Sequence, residues 1–294
     1  MEPSTEVPDA IAAPSPFDRV RAWVVVAVLV AAGVAVEAAR RTLAPGLRED
    51  ASDAVSSVAF QVAVGAGMAL YLRGRGVSLR RLVGRAPRDW RAWALVVMAA
   101  PLRVLSLGTA ALQFSLLTTF APKAAAAMQA EAAAAPGTAI VLAQALAGVL
   151  AAAMEELLFR GVLLTRWERR WGAVRAAVAS SLCFGVLHLD LVGAFAFGMV
   201  MCVLYLRTRS LLVPILCHSL NNAAIALSDL GGASGTMAGP TAADLAPDWG
   251  AAAIAIAVSI PALWLFFRTF RPAGGWRLPY YDAPGPGVEP ARDP

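Results

Sequence analysis

Three short clusters of polar residues lie inside long apolar runs of this 294-residue sequence. They read Glu155-Glu156-Leu157-Leu158-Phe159-Arg160, Phe184-Gly185-Val186-Leu187-His188 and His218-Ser219-Leu220-Asn221-Asn222. The chain has only two histidines, and both belong to these clusters. Ionisable groups within a bilayer are costly, so they usually face the interior of a helix bundle and serve a function. The three clusters therefore form the candidate functional site.

The spacing within the clusters assigns a different task to each residue. Glu156 and Arg160 are four residues apart, so on a helix they can form an ion pair that supports the structure. Glu155 lies about 100° around the same helix, which frees its carboxylate to face another helix. A buried carboxylate without a fixed cation can accept a proton from water. His218 and Asn222, also four residues apart, can donate hydrogen bonds to an oxyanion from one helix face.

Residue counts from one turn predict that two of these groups meet. Glu155 lies 16 residues before Trp171, and His188 lies 16 residues after Gly172. If the chain turns between Trp171 and Gly172, Glu155 and His188 stand at the same height on neighbouring helices, ~24 Å from the turn. A carboxylate and an imidazole at one level can hold and activate a water molecule. The pattern predicts hydrolysis of a peptide bond within or beside a membrane.

The overall composition requires a membrane protein. Apolar residues make up 59% of the chain and charged residues 15%, with a mean hydropathy of +0.63. This excludes a single soluble domain and a disordered chain, since both need more polar sequence. No glycine-rich nucleotide fingerprint, phosphate loop or nucleic-acid motif is present. We expect an all-α polytopic membrane protein with about eight transmembrane helices and its catalytic bundle in the C-terminal half.

Apolar runs divide the chain into regions. The eight runs are 20–38, 54–72, 91–120, 138–170, 173–189, 191–207, 211–228 and 249–270. The expected regions are a disordered acidic, proline-rich tail (1–18), N-terminal transmembrane helices (19–130), a catalytic core (138–228), a last transmembrane helix (249–270) and a cytoplasmic tail (271–294). Most arginines flank the runs on one side of the predicted topology, so the positive-inside rule places both termini in the cytoplasm of a multi-pass cell-membrane protein.

The three motifs together resemble the type II CAAX prenyl endopeptidase family, which includes the CAAX protease and bacteriocin-processing (Abi) relatives. The resemblance covers about residues 138–227 and implies a helical intramembrane protease of glutamic type. It implies that Glu155 and His188 activate water, and that His218 and Asn222 form the oxyanion site. Glu156 and Arg160 would support that site. One departure is that Leu189-Asp190 ends the second-motif helix early, which alters access to the site.

Other readings stay open at this point. Two histidines and a glutamate could hold zinc with an open position, although there is no His-Glu-x-x-His helix. We therefore expect no cofactor, with zinc as the alternative. A non-proteolytic immunity or partner-scaffold membrane protein is a second function class. A transporter is a third, and the lack of an internal repeat speaks against it. The expected partners are the lipid bilayer and a membrane-associated peptide or protein substrate, with no nucleic acid.

Overall fold

The structure, a computed structural model, describes residues 15–43, 49–126, 138–188, 190–234, 249–270 and 278–282. Within these ranges the ordered elements are helices and none is a β-strand. The longer helices are α1 (Ala22–Leu43), α2 (Glu49–Gly74), α5 (Ala99–Phe120), α6 (Thr138–Glu156), α8 (Ala173–Val186), α9 (Leu191–Thr208), α10 (Leu212–Ser234) and α11 (Trp249–Thr269). The short helices are α3 (Leu79–Val83), α4 (Trp90–Ala94), α7 (Thr165–Trp171) and α12 (Pro279–Asp282). The predicted all-α class is confirmed.

In the described part of the chain, six helical segments are long and apolar enough to cross a membrane, which makes this a multi-pass membrane protein. They are Trp23–Thr42, Val55–Gly74, Trp90–Phe120, Val141–Trp171, Leu191–Thr208 and Trp249–Thr269. Two further apolar helices, Ala173–Val186 and Leu212–Ala226, are shorter. Ala173–Val186 has 14 residues and rises only ~21 Å, less than the ~30 Å of hydrocarbon. The predicted number of eight spans is therefore approximate.

Helix packing gathers the three polar clusters into one bundle. α6 packs against α10 and α2, α8 packs against α9, and α5 packs against α11 and α9. α6 continues into a π-helix, Leu157–Leu164, and then into α7. π-Helical turns are rare and are often found at functional sites. This π-helix begins directly after Glu156, so it separates the paired glutamates from the rest of the helix.

The turn between the helical segments that carry Glu155 and His188 falls at Gly172. Its φ of 77° lies in the left-handed region, which glycine adopts without steric cost. The amide of Gly172 donates to the Glu168 carbonyl and so ends α7, and α8 begins at the next residue. This position agrees with the predicted turn between Trp171 and Gly172.

Both ends of the described chain pack together beside arginine-rich loops. Phe17 is almost fully buried, and its ring meets that of Tyr280 edge-on with centroids 4.9 Å apart. Asp18 pairs with Arg169 at 3.2 Å, and the Tyr280 hydroxyl accepts a hydrogen bond from the Ser78 amide. The predicted solvated tail is therefore wrong for residues 15–18, because an apolar side chain there is buried. Residues 1–14 lie outside the described part of the chain.

Candidate active site

Glu155 faces two imidazoles that come from different helices. Its Oε2 lies 3.9 Å from Nε2 of His188 and 3.7 Å from Nε2 of His218. The carboxylate is carried by α6, His188 follows the end of α8, and His218 lies on α10. Equal residue counts from the turn between Trp171 and Gly172 predict that Glu155 and His188 stand at one height. In the structure Oε2 of Glu155 and Nε2 of His188 are 3.9 Å apart. Oε2 is buried and makes no direct hydrogen bond.

A second, tighter set of contacts lies directly beside the first. The Arg160 Nη1 donates to Oε1 of Glu156 at 2.8 Å, and both side chains are completely buried. The same Oε1 lies 2.9 Å from Nδ1 of His218. Because a carboxylate paired with arginine is a hydrogen-bond acceptor, His218 donates through Nδ1. Glu156 thus orients His218 so that Nε2 points toward Glu155.

Local backbone contacts also determine the orientation of His188. Its Nδ1 lies 2.7 Å from the carbonyl oxygen of Phe184, one helical turn earlier. A carbonyl can only accept, so Nδ1 carries the proton and the Nε2 of neutral His188 is an acceptor. Oε2 of Glu155 and Nε2 of His188 are then two acceptors facing each other. They cannot bond directly, but one water molecule can donate to both.

Aromatic rings enclose the buried charges. The Arg160 guanidinium lies over the Phe184 ring, with its carbon 4.7 Å from the ring centroid. Phe184 also contacts the His188 ring at 4.2 Å, and Phe197 contacts the His218 ring at 4.7 Å. Ring contacts of this kind restrict the rotation of these groups. Phe184, the first residue of its motif, packs against three of the candidate groups, Arg160, His188 and His218, and its ring centroid lies 5.7 Å from that of His218.

Asn222 lies apart from the three-residue cluster. Its Nδ2 donates to the Gly148 carbonyl at 3.0 Å, and its Oδ1 accepts from Asn221 at 3.4 Å. Gly148 is two helical turns before Glu155 on α6. A Cβ at Gly148 would approach the Cβ of Asn222 to 3.2 Å, so the small residue permits this close contact. Among the described residues, no hydrogen bond joins Asn222 to Glu155, His188 or His218.

The spacing of the three candidate ligand atoms can be compared with the spacing of ligands around zinc. Within the described ranges, no group of three or more His, Cys, Asp or Glu is arranged to hold a metal ion. Zinc ligands at ~2.0–2.2 Å in a tetrahedron stand roughly 3.3 Å apart. The Glu155 oxygen is 3.7 and 3.9 Å from the two imidazole nitrogens. These separations leave the ligand atoms farther apart than a zinc tetrahedron requires.

A comparison with known protein families finds a match in the part of the chain that carries the candidate site. Residues 137–224 match the family model of type II CAAX prenyl endopeptidase Rce1-like proteins. The Rce1-like segment includes every candidate site residue and the whole of α8 and α9. It is less than a third of the chain, and it leaves out α1–α5 and α11. Neither the curated proteins nor the solved structures provide a significant match to this chain.

Several features of the site are not predicted by any local sequence pattern. The π-helix after Glu156 follows no sequence pattern in the motif. The hydrogen bond from His218 to Glu156 joins residues 62 positions apart. In the sequence, the i,i+4 spacing paired Glu156 with Arg160 alone. Asp190, which the sequence marked only as a helix breaker, also accepts hydrogen bonds from α5.

Proposed function

We propose that this protein is an intramembrane endopeptidase that hydrolyses a peptide bond of a membrane-associated protein or peptide. The observation that carries the proposal is Glu155 facing His188 and His218 at 3.7–3.9 Å inside an apolar bundle. The match of residues 137–224 to a protease family supports a hydrolase. The proposal also assigns Glu155 as the base, so that the enzyme is a glutamic protease.

The proposed reaction begins with one water molecule held by Glu155 and His188. Glu155 accepts a proton from this water, and the hydroxide attacks the carbonyl carbon of the scissile peptide bond. The carbonyl oxygen becomes an oxyanion. When the carbon–nitrogen bond breaks, Glu155 returns its proton to the leaving amine. One water is consumed, and a carboxylic acid and an amine are produced.

His218 and Asn222 are proposed to donate hydrogen bonds to the oxyanion. Because Nδ1 of His218 donates to Glu156, Nε2 can donate only when both ring nitrogens carry protons. The positive charge of that imidazolium would balance the Glu155 carboxylate. Asn222 has a second amide hydrogen beyond its bond to Gly148. Donors placed in advance stabilise an oxyanion more strongly in a low-dielectric site than in water.

The proposed function is tested by comparing peptide termini in membranes from cells with wild-type protein and with Glu155→Gln. Gln keeps the shape of the side chain and removes the base. We expect a small set of new N- and C-termini in membrane proteins that disappears in Glu155→Gln. The matched control is Glu37→Gln, since Glu37 is another helical glutamate and pairs with Arg40 and Arg41. Identical termini in all three strains would contradict the protease and favour an immunity or scaffold role.

Metal content separates two forms of the same enzyme. We expect purified, active protein to contain less than one zinc per chain and to keep its activity after dialysis against a chelator. The physical reason is the wide spacing of the three candidate ligands described above. Elemental analysis paired with an activity assay checks this. Stoichiometric zinc, loss of activity on its removal and recovery on its return would establish the zinc-dependent version.

We propose the cell membrane as the location, with both termini in the cytoplasm. The contact of Phe17 with Tyr280 puts the two terminal segments at one face of the bundle. Arg166 and Arg169, which bond to Phe17 and Asp18, lie at that same face. A fluorescent protein fused after Pro294 is expected to fluoresce, and alkaline phosphatase there to be inactive. Active phosphatase fused after Pro294 would place the C-terminus outside the cytoplasm and contradict the proposed orientation.

A further inference from the structure

Asp190 connects the loop that carries His188 to a helix outside the Rce1-like segment. Its Oδ2 accepts a hydrogen bond from Ser106 Oγ and one from Thr109 Oγ1, each 2.8 Å long. Its Oδ1 accepts from the Gly193 amide at 3.0 Å and so caps α9. One carboxylate therefore ties together α5, the loop after α8 and the start of α9.

The two hydroxyl groups share one face of α5. Ser106 and Thr109 are three residues apart, about one helical turn. α5 belongs to the N-terminal half, for which the sequence motifs assign no role. Hydrogen bonds to an ionised carboxylate are shorter and stronger than those between neutral groups. The contact with Asp190 thus gives α5 a direct connection to the residue two positions after His188.

The described residues of this loop are otherwise held by their own helix end, since the amides of Leu187 and His188 donate to the carbonyls of Phe184 and Gly185. α8 ends at Val186, and the side chains of Val186 and Leu187 are more than 70% exposed within the protein. The His188 ring bonds to the Phe184 carbonyl of its own helix end. A Cβ on Gly193 would overlap Oδ2 of Asp190, so the carboxylate lies directly on the backbone of α9. Asp190 is thus the side chain that fixes this loop to α5 and to the start of α9.

We propose that Asp190, held by Ser106 and Thr109, is a positioning residue that keeps the His188 imidazole facing Glu155. Asp190 does not touch the reacting atoms. It acts by holding the loop, so its loss displaces Nε2 of His188 from the proposed water. This inference rests on the proposed protease function for its catalytic consequence, while the placement of His188 can be measured separately. A displacement of about 1 Å in a catalytic group can cost about 100-fold in rate.

The test compares Asp190→Ala with Asp190→Asn and with the double variant Ser106→Ala plus Thr109→Val. The control is Asp89→Ala, because Asp89 also caps a helix, α4, through the amide of Arg91. On a substrate identified from the membrane termini, we expect Asp190→Ala to lower kcat about 10–100-fold with KM nearly unchanged. Asp190→Asn restores part of kcat, since its amide oxygen still caps α9. Asp89→Ala is expected to keep the wild-type kcat.

A second readout reports on His188 without any substrate. Diethyl pyrocarbonate modifies accessible imidazoles, and His218, whose side chain is 4% exposed, serves as an internal reference in the same molecule. We expect His188 to be modified several-fold faster in Asp190→Ala and in the double variant Ser106→Ala plus Thr109→Val. If Asp190→Ala does not fold, the double variant still tests the contact of Asp190 with α5. Unchanged His188 reactivity and kcat in the folded variants would overturn the positioning role. A protein that shows the reactivity change but cleaves no peptide would instead contradict the protease function.

Discussion

Glu155→Gln, His188→Phe and the double variant are expected to lose peptide hydrolysis by a similar factor, about 10³-fold or more. The reason is that Glu155 and His188 are proposed to hold the same water molecule. Once one of them is removed, the other has no activated water to act on. Phe retains the ring that packs against Phe184 while removing both ring nitrogens. Single-turnover rates on a substrate identified from the membrane termini give the three factors.

The comparison of single and double variants carries the test. Groups that act as one unit give strongly non-additive losses. If the two single losses multiply in the double variant, Glu155 and His188 act in separate steps and the shared water is contradicted. Glu37→Gln is the control for removing a glutamate from a membrane helix. The Glu37 side chain is 41% exposed and paired with surface arginines, so the hydrolysis rate of Glu37→Gln is expected to stay near that of wild type.

The second large effect is on stability, and it is expected for Arg160→Met. This change leaves Glu156 as a completely buried carboxylate without its cation. Removing one partner of a buried ion pair costs about 3–5 kcal/mol. Thermal unfolding of the purified protein in detergent should show a Tm lowered by about 10 °C, using a slope of about 2–4 °C per kcal/mol.

Two further variants separate lost charge pairing from lost packing. Arg41→Met removes an exposed partner of Glu37. The Arg41 and Glu37 side chains are 74% and 41% exposed, so this variant is expected to keep a Tm close to that of wild type. Adding Glu156→Gln to Arg160→Met removes the unpaired charge, so part of the lost stability is expected to return. Gln also keeps an oxygen for Nδ1 of His218. A Tm for Arg160→Met equal to that of Arg41→Met would contradict the buried pair.

Local sequence patterns predict the helices and the height of the catalytic groups. Apolar runs specify membrane helices because length and composition alone determine whether a segment can span hydrocarbon. The equal residue counts of Glu155 and His188 from the turn between Trp171 and Gly172 predict one level, although the π-helix Leu157–Leu164 lies on one side of that turn. These two features need no knowledge of contacts between distant segments, and the structure agrees with both.

Contacts between helices far apart in the chain are not predictable in this way. The bond of His218 to Glu156 depends on how α10 packs on α6, and Pro214 makes counting along α10 less reliable. The contact of Ser106 with Asp190 joins residues 84 positions apart. Phe17 is buried because the C-terminal Tyr280 packs on it, which no feature of a proline-rich N-terminal segment indicates. Each of these depends on packing between distant segments rather than on local pattern.

The most direct test of the central claim is peptide cleavage by the purified protein in lipid vesicles that contain a chelator. Wild type and Glu155→Gln are compared on the same membrane-inserted peptide, with matched folding shown by their Tm values. Wild type is expected to release two fragments, and the new carboxylate is expected to contain one oxygen from labelled water. Glu155→Gln releases neither above the uncatalysed rate. Cleavage by Glu155→Gln at the wild-type rate would contradict the assignment of Glu155 as the base.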